Sequence, residues 1–199
     1  MSTFEPRPLQ WPEPNPELEA AIGRAILSWS VLEHEIDDGL RLILRVSPSL
    51  GDCVTANLQL KTRLDIFQSA LHELLYAEFD DSSVPAKLAD YYRDLAEADR
   101  KLLTSAEKLA RATDKLAGEM RNWIAHGRPH RCEHCEGWMW MRRSARKGGV
   151  KLHVEKMEPA VFENGTAQIR ALVERWRVFN GRIGRYMKEY ADIEAMMAD

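Results

Sequence analysis

The sequence has few cysteines and no apolar run long enough to cross a bilayer. Cysteine occurs three times in 199 residues, and this small odd number argues against a disulfide framework. The first residues, Met-Ser-Thr-Phe-Glu-Pro, lack the basic and apolar regions of a secretory signal. A chain of this length with ordinary apolar and charged fractions predicts one globular domain in the reducing cytoplasm, away from membranes.

Several common catalytic motifs are also missing. There is no Walker A loop, no glycine fingerprint for a dinucleotide and no Gly-x-Ser-x-Gly turn. The pairs His34-Glu35 and His72-Glu73 each lack the second histidine of a His-Glu-x-x-His zinc site. No cofactor is therefore expected.

Charge is unevenly distributed along the chain. The net charge is −3, but residues 121–156 hold nine basic and three acidic residues. That segment carries +6, which leaves −9 for the rest of the chain. Such a segment either attracts a phosphate backbone or is a solvated hairpin. The predicted RNA contacts are Arg128, Arg131, Arg142, Arg143, Arg146 and Lys147.

Prolines and apolar spacing divide the chain into an arm and a helical domain. Residues 1–16 hold five of the nine prolines and predict an extended arm, followed by a single domain over 17–199. Steps of three and four predict a first helix that ends at Ser47-Pro48 and a second helix around 54–74. Residues 86–126 predict one long helix or two nearly collinear helices. A last helix around 169–193 is expected, capped by Asn164 or Thr166.

The periodicity changes between the last two helices. Alternating residues on either side of Gly148-Gly149 predict a β-hairpin at about 137–156. The fold class predicted is therefore all-α, a bundle of four to five long helices with one inserted β-hairpin.

The stretch from Arg121 to His126 offers the most complete chemical proposal. It places an arginine, the amide of Asn122 and a histidine at a helix end, before Gly127 stops the helix. Arginine supplies a permanent cation with a planar donor fork, and histidine exchanges a proton near neutral pH. These groups can cleave a phosphodiester without a metal. Alternatively, they only oppose the dipole of a helix C-terminus.

Helix geometry restricts how these residues act together. On a regular α-helix Arg121 and His126 point ~140° apart, so one helix does not aim both at one phosphate. Either the helix unwinds near Gly127, or two copies of the chain form one cleft about a twofold axis.

The run Arg-Asn-Trp-Ile-Ala-His-Gly at 121–127 resembles the signature of HEPN-domain proteins. The stretch Trp29-Ser30-Val31-Leu32-Glu33 also looks like the first helix of bacterial members, which often carry an acidic residue there. The resemblance covers the order of helices from about residue 17 to 196. The predicted hairpin is an insertion relative to the general family pattern. Many HEPN proteins are metal-independent endoribonucleases that act as dimers, often as toxins or antiphage effectors, whereas some only bind nucleotides or partners.

The resemblance implies a role for each site residue. His126 would be the general acid or base for attack by the ribose 2′-hydroxyl, and Arg121 would stabilise charge on the phosphoryl oxygens. Asn122 would position one of these groups, and Glu33 would orient Arg121 or His126. The expected partners are a second copy of the chain, RNA and, for a toxin, an antitoxin protein.

Two further motifs allow more than one interpretation. Cys132 and Cys135 form a Cys-x-x-Cys, which is half of a zinc knuckle, but no second such pair exists. Two plain cysteines in a loop are the default, so no metal is predicted. Trp138 and Trp140 share one face of a strand, where packing against the bundle is favoured over stacking on bases.

Overall fold

The computed structural model describes residues 15–76, 89–121, 128–131, 138–146, 149–156 and 158–198. Within these ranges there are five α-helices: α1 (Pro16–Leu44), α2 (Pro48–Thr55), α3 (Leu60–Tyr76), α4 (Ala89–Leu116) and α5 (Pro159–Ala198). A π-helix, Ala117–Arg121, directly continues α4. Three strands separate the π-helix from α5 in sequence: β1 (Arg128–Arg131), β2 (Trp138–Arg146) and β3 (Gly149–Lys156).

Helix α1 begins and ends where its local sequence dictates. The Asn15 side chain accepts a hydrogen bond from the Leu18 backbone N–H at 3.1 Å, and Pro16 takes the first helical position, where no N–H is needed. Arg45 closes the helix in the left-handed region with φ 53°. One face of α1 is buried, as the spacing predicts; its buried apolar residues are Leu18, Ala21, Ala25, Trp29, Leu32, Ile36, Leu40 and Ile43.

The predicted second helix is in fact two helices. Ser47 caps the short helix α2, with its Oγ accepting from the Leu50 N–H at 3.4 Å, and Pro48 starts it. Residues 56–59 then separate α2 from α3. Leu58 and Leu64 are six positions apart, so the helical spacing of three or four is interrupted at this break, which the prediction overlooked.

The core is built around Trp176 of α5. The Phe67 ring of α3 meets it edge-on with centroids 4.9 Å apart, and Phe179 lies 6.1 Å from it. The Trp176 indole N–H donates to Thr113 Oγ of α4 at 3.0 Å. The polar group of this buried ring therefore has a hydrogen-bond acceptor on the neighbouring helix.

Side-chain pairs define the directions of three helices. Arg24 of α1 meets Glu163 of α5, and Glu35 meets Arg177 further along both helices, so α1 and α5 run parallel. Thr113 of α4 meets Trp176, whereas Met120, nearer the C-terminal end, meets Gly165. Since the numbers on α5 fall as those on α4 rise, α4 runs antiparallel to α5.

The predicted fold class is wrong about the segment inserted between the last two helices. The body is helical, but the described strands do not form a single inserted β-hairpin in an all-α chain. They form a three-stranded antiparallel sheet in the order β1-β2-β3, which begins at Arg128, ahead of the predicted start. Strand β1 has the sequence Arg-Pro-His-Arg, which is too short and too polar to show an apolar alternation. It is a strand because it pairs with β2, and this pairing could not be read from its own sequence.

Helix α5 begins earlier than expected. It starts at Pro159, so Asn164 and Thr166 lie inside the helix, and the predicted cap there is wrong. The Thr166 hydroxyl donates to the Phe162 carbonyl at 2.7 Å, one turn back, as threonine does within helices. In the part of the chain that the structure describes, no helix is long and apolar enough to cross a membrane.

Candidate functional site

Arg121 is the last residue of the π-helix that follows α4. A π-helix bonds residue i to i+5, so its turns are wider than those of an α-helix, and such turns are frequent at functional sites. Regular α geometry ends at Leu116, five residues before Arg121. The angle between Arg121 and His126 depends on residues 122–127, which lie outside the described residues, so the ~140° separation of an ideal α-helix stays an expectation.

Met120 anchors the π-helix between two other helices. Its side chain packs against the cluster of Leu18, Ala21, Ala25 and Phe162, which joins the first turns of α1 and α5. Its thioether also lies over Gly165 of α5, where a β-carbon would collide with it. The backbone of Arg121 is thus fixed at the end of the helical body from which the chain leaves for the sheet.

Two members of the predicted site lie outside the described residues. Asn122 and His126 both fall in the gap 122–127, between the π-helix and β1. The roles assigned to them stay predictions, as does the proximity of His126 to Arg121.

Glu33 lies on α1, away from the level of Arg121. It accepts a hydrogen bond from the Trp29 indole N–H at 2.8 Å. Arg24 of α1 and Met120 both meet the first turns of α5, at Glu163 and Gly165, so Arg121 lies near the level of Arg24. Glu33 is nine residues further along α1, about 13 Å away along the helix axis. The structure describes the contact of Glu33 with Trp29, whereas the Arg121 side chain lies outside the described part of the chain, so the approach of Glu33 to Arg121 stays a prediction.

Glu33 also belongs to a charged cluster that sequence reasoning missed. Burial raises the pKa of the neighbouring Asp37 carboxyl, Arg63 lowers it, and the negative charge of Glu33 raises it again. Arg63 contacts both Asp37 oxygens, at 3.2 and 3.3 Å, and its Nε donates to the Leu58 carbonyl at 3.0 Å. The cluster ties α1 to the start of α3, and its ion pair spans 26 positions, which no local spacing could indicate.

Arg41 forms a second tie from α1, this time to α2. Its guanidinium bonds Asp38 on its own helix and Asp52 of α2, the latter at 2.8 Å. The arginine stem lies over Gly51, where a β-carbon would collide with it. These charged groups have structural partners, and the described residues contain no group of three or more metal-ligating side chains.

Five of the six predicted RNA-contacting cations lie in the sheet. Arg128 and Arg131 are the ends of β1; Arg142, Arg143 and Arg146 belong to β2, and Lys147 is outside the described residues. In the backbone register, Arg131 is paired with Trp138, and Arg142 is paired with His153 of β3. Adjacent strands are about 4.8 Å apart, so this register concentrates positive charge in one small sheet.

The predicted cysteine pair is not in the described part of the chain. Cys132 and Cys135 fall between β1 and β2, at positions 132–137 that the structure does not describe. Cys53 of α2 is a free, exposed thiol.

No family model, curated protein or solved structure matches this chain. The resemblance to HEPN proteins therefore rests on the motif at 121–127, the stretch at 29–33 and the helical order.

Proposed function

We propose that this chain is a HEPN-like, metal-independent endoribonuclease that acts as a homodimer in the cytoplasm. The observation that supports the proposal is the position of Arg121: it ends a π-helix anchored by Met120, and the chain continues from it into a sheet that contains five arginines. A permanent cation beside a concentration of positive charge suits a polyanionic substrate.

The proposed reaction needs no cofactor. The ribose 2′-hydroxyl loses its proton to one His126 and attacks the adjacent phosphorus, while the bond from phosphorus to the 5′-oxygen breaks. A protonated His126, from the same or the partner copy, gives its proton to the leaving 5′-oxygen. Arg121 stabilises the charge on the phosphoryl oxygens, and Asn122 positions one of these groups. The products are a 2′,3′-cyclic phosphate and a 5′-hydroxyl.

Glu33 retains a conditional role in this proposal. Its contact with Trp29 and its distance from the level of Arg121 favour a supporting function within α1 in its own copy. In a dimer it can orient Arg121 or His126 of the partner copy only if the interface brings α1 close to the partner's π-helix. We also propose that the chain acts as a toxin or antiphage effector and, as a toxin, binds an antitoxin protein.

The test is RNA cleavage in the presence of EDTA. Arg121→Ala and His126→Ala should each lower the cleavage rate by at least about 100-fold, the usual effect of losing a charge-stabilising group or a general acid–base. Arg111→Ala and His34→Ala are matched controls, because both side chains are exposed and lie elsewhere on α4 and α1. They should cleave as fast as the wild type. Equal rates in all five proteins, or no cleavage by any of them, would contradict the proposal.

One observation favours a second function, a non-catalytic dimer that binds a protein partner or a nucleotide. Three aliphatic residues of α1 are exposed within six positions: Ile26, Leu27 and Val31. Exposed apolar patches of this kind often mark protein contacts. RNA or partner binding without any cleavage would favour this function over the ribonuclease.

A further inference from the structure

An open groove between α4 and α5 combines positive charge with an apolar floor. Its volume is about 390 Å3, within the range of sites for small ligands. Lys108 of α4 lies on one side, and Arg175 and Arg182 of α5 lie on the other. Leu109 and Phe179 form the buried floor, and the exposed side chain of Val178 also lines the groove.

Some exposed cations of α4 are paired along the helix. Lys101 meets Glu97 at 2.6 Å, and Arg111 meets Glu107 at 2.8 Å. Within the described part of the chain, Lys108, Arg175 and Arg182 have no carboxylate at ion-pair distance.

The single carboxylate of the groove does not cancel their charge. Glu174 also lines it, but its carboxylate accepts a hydrogen bond from Arg177 at 2.8 Å. Three cations therefore face the groove against one carboxylate that is already paired, so the groove attracts anions.

The apolar floor limits the kind of anion. A small inorganic ion gains nothing from apolar surface, whereas a nucleotide unit presents both a phosphate and an apolar ring face. Arginine forks bind phosphate oxygens in pairs, and Val178, 65% exposed, offers an apolar surface to a base or ribose. Proteins that bind single strands combine a positively charged groove with such contacts.

The groove and Arg121 belong to the same helical segment. Lys108 precedes Arg121 by 13 residues along α4 and its π-helix. This corresponds to about 20 Å along the axis, which is the distance that a strand held in the groove has to span to reach Arg121.

We propose that the α4–α5 groove is a second RNA-binding site, which holds the backbone of a single strand several nucleotides away from the bond to be cleaved. This inference rests on the proposed ribonuclease function for its substrate. It assigns binding, not chemistry, to Lys108, Arg175 and Arg182.

The test is binding of a fluorescent single-stranded RNA of about 12 nucleotides to the full chain carrying His126→Ala, which prevents the proposed cleavage. Adding Arg175→Glu and Arg182→Glu should weaken binding at least about tenfold. It should also make the dependence of log affinity on log salt shallower by about 1.4, as expected for two lost phosphate contacts on a single strand. Arg175 and Arg182 are both exposed, so replacing them should leave the fold intact.

The control is the pair Arg170→Glu and Lys188→Glu in the same background. Both residues are exposed on α5 outside this groove, and the change in net charge is identical. The control should bind RNA with near wild-type affinity. Equal weakening by both double variants, no weakening by either, or a mononucleotide that binds as tightly as the strand would overturn the inference. Failure of the ribonuclease proposal is recognised separately, by the absence of cleavage in a wild-type protein that still binds RNA through the groove.

Discussion

Thr113 and Trp176 form a polar contact inside the helical core. Thr113 is fully buried and uses its hydroxyl twice, since it accepts from the Trp176 indole N–H and donates to the Leu109 carbonyl at 2.9 Å. Sequence reasoning found the apolar face of α5 that includes Trp176. It could not find Thr113, because a threonine on a helix is usually exposed and its partner is 63 positions away.

Thr113→Val should lower the free energy of unfolding by about 1–3 kcal/mol. Valine has the same shape but leaves the buried Trp176 N–H without an acceptor. Chemical denaturation followed by tryptophan fluorescence measures the change. Thr104→Val is the control, because Thr104 makes the same type of bond to a carbonyl four residues back at an exposed position. A loss of equal size in both variants would show that the Trp176 contact contributes nothing.

Asp99 makes stability depend on pH. Burial raises the pKa of its carboxyl from 3.8 to about 6, against a lowering effect of the hydrogen bond from Tyr186. The folded protein therefore keeps a proton that the unfolded chain releases. Stability should fall as pH rises from about 4 to about 6, and then level off.

Asp99→Asn should flatten this part of the curve and raise stability at pH 7. Thermal melts at pH 4, 5, 6 and 7 measure both effects. Asp114→Asn removes an exposed carboxylate from the same helix and should leave the wild-type slope in place. A wild-type protein whose stability rises between pH 4 and 6, with the same rise in Asp99→Asn, would contradict the assignment.

Gly39 allows α1 and α5 to approach closely. A β-carbon there would lie 2.7 Å from Asn180 Oδ1 and 3.1 Å from the Phe67 ring. The Asn180 amide cannot easily give way, because its nitrogen donates to the Glu35 carbonyl at 2.8 Å. Close packing at this point therefore depends on glycine.

Gly39→Ala should cost about 1–3 kcal/mol of stability, the usual penalty for overpacking a core. Gly181→Ala is the matched control on α5. It meets open space, and alanine favours helix over glycine, so it should gain up to about 1 kcal/mol. Denaturant unfolding of both variants gives the comparison. If Gly39→Ala proved as stable as Gly181→Ala, the two helices would be able to separate at no cost.

The elements that could be predicted from sequence are those with a sustained apolar period. The buried face of α1 is confirmed at nearly every position, and so are Ile169, Leu172 and Ile183 of α5. The gap between α2 and α3, the π-helix and β1 were missed. The π-helix depends on local backbone geometry and β1 on its strand partner, and apolar spacing reports neither. The gap between α2 and α3 coincides with the six-residue step from Leu58 to Leu64, which the prediction overlooked.

At the scale of the whole molecule, part of the candidate site could be predicted and part could not. The long helical segment over 89–121 was predicted from apolar spacing, while its predicted end before Gly127 lies outside the described residues. Five arginines of the basic segment lie in the sheet, which has three strands where a two-stranded hairpin was predicted. The resemblance assigned Glu33 to the site. The level of Glu33 along α1 relative to Arg121 depends on how the helices pack, and a motif carries no information on packing. The groove at Lys108, Arg175 and Arg182 joins two helices that are distant in sequence, so no motif indicates it.

The central claim is that two copies of the chain form one ribonucleolytic site from Arg121 and His126. It is tested most directly by mixing purified Arg121→Ala and His126→Ala proteins, letting subunits exchange, and measuring RNA cleavage in EDTA. The shared cleft of a wild-type dimer holds two pairs, each made of Arg121 from one copy and His126 from the other. Half of the dimers in an equal mixture regain one of these two pairs, so cleavage should recover to about a quarter of the wild-type rate. A mixture as inactive as either variant alone would contradict the shared site.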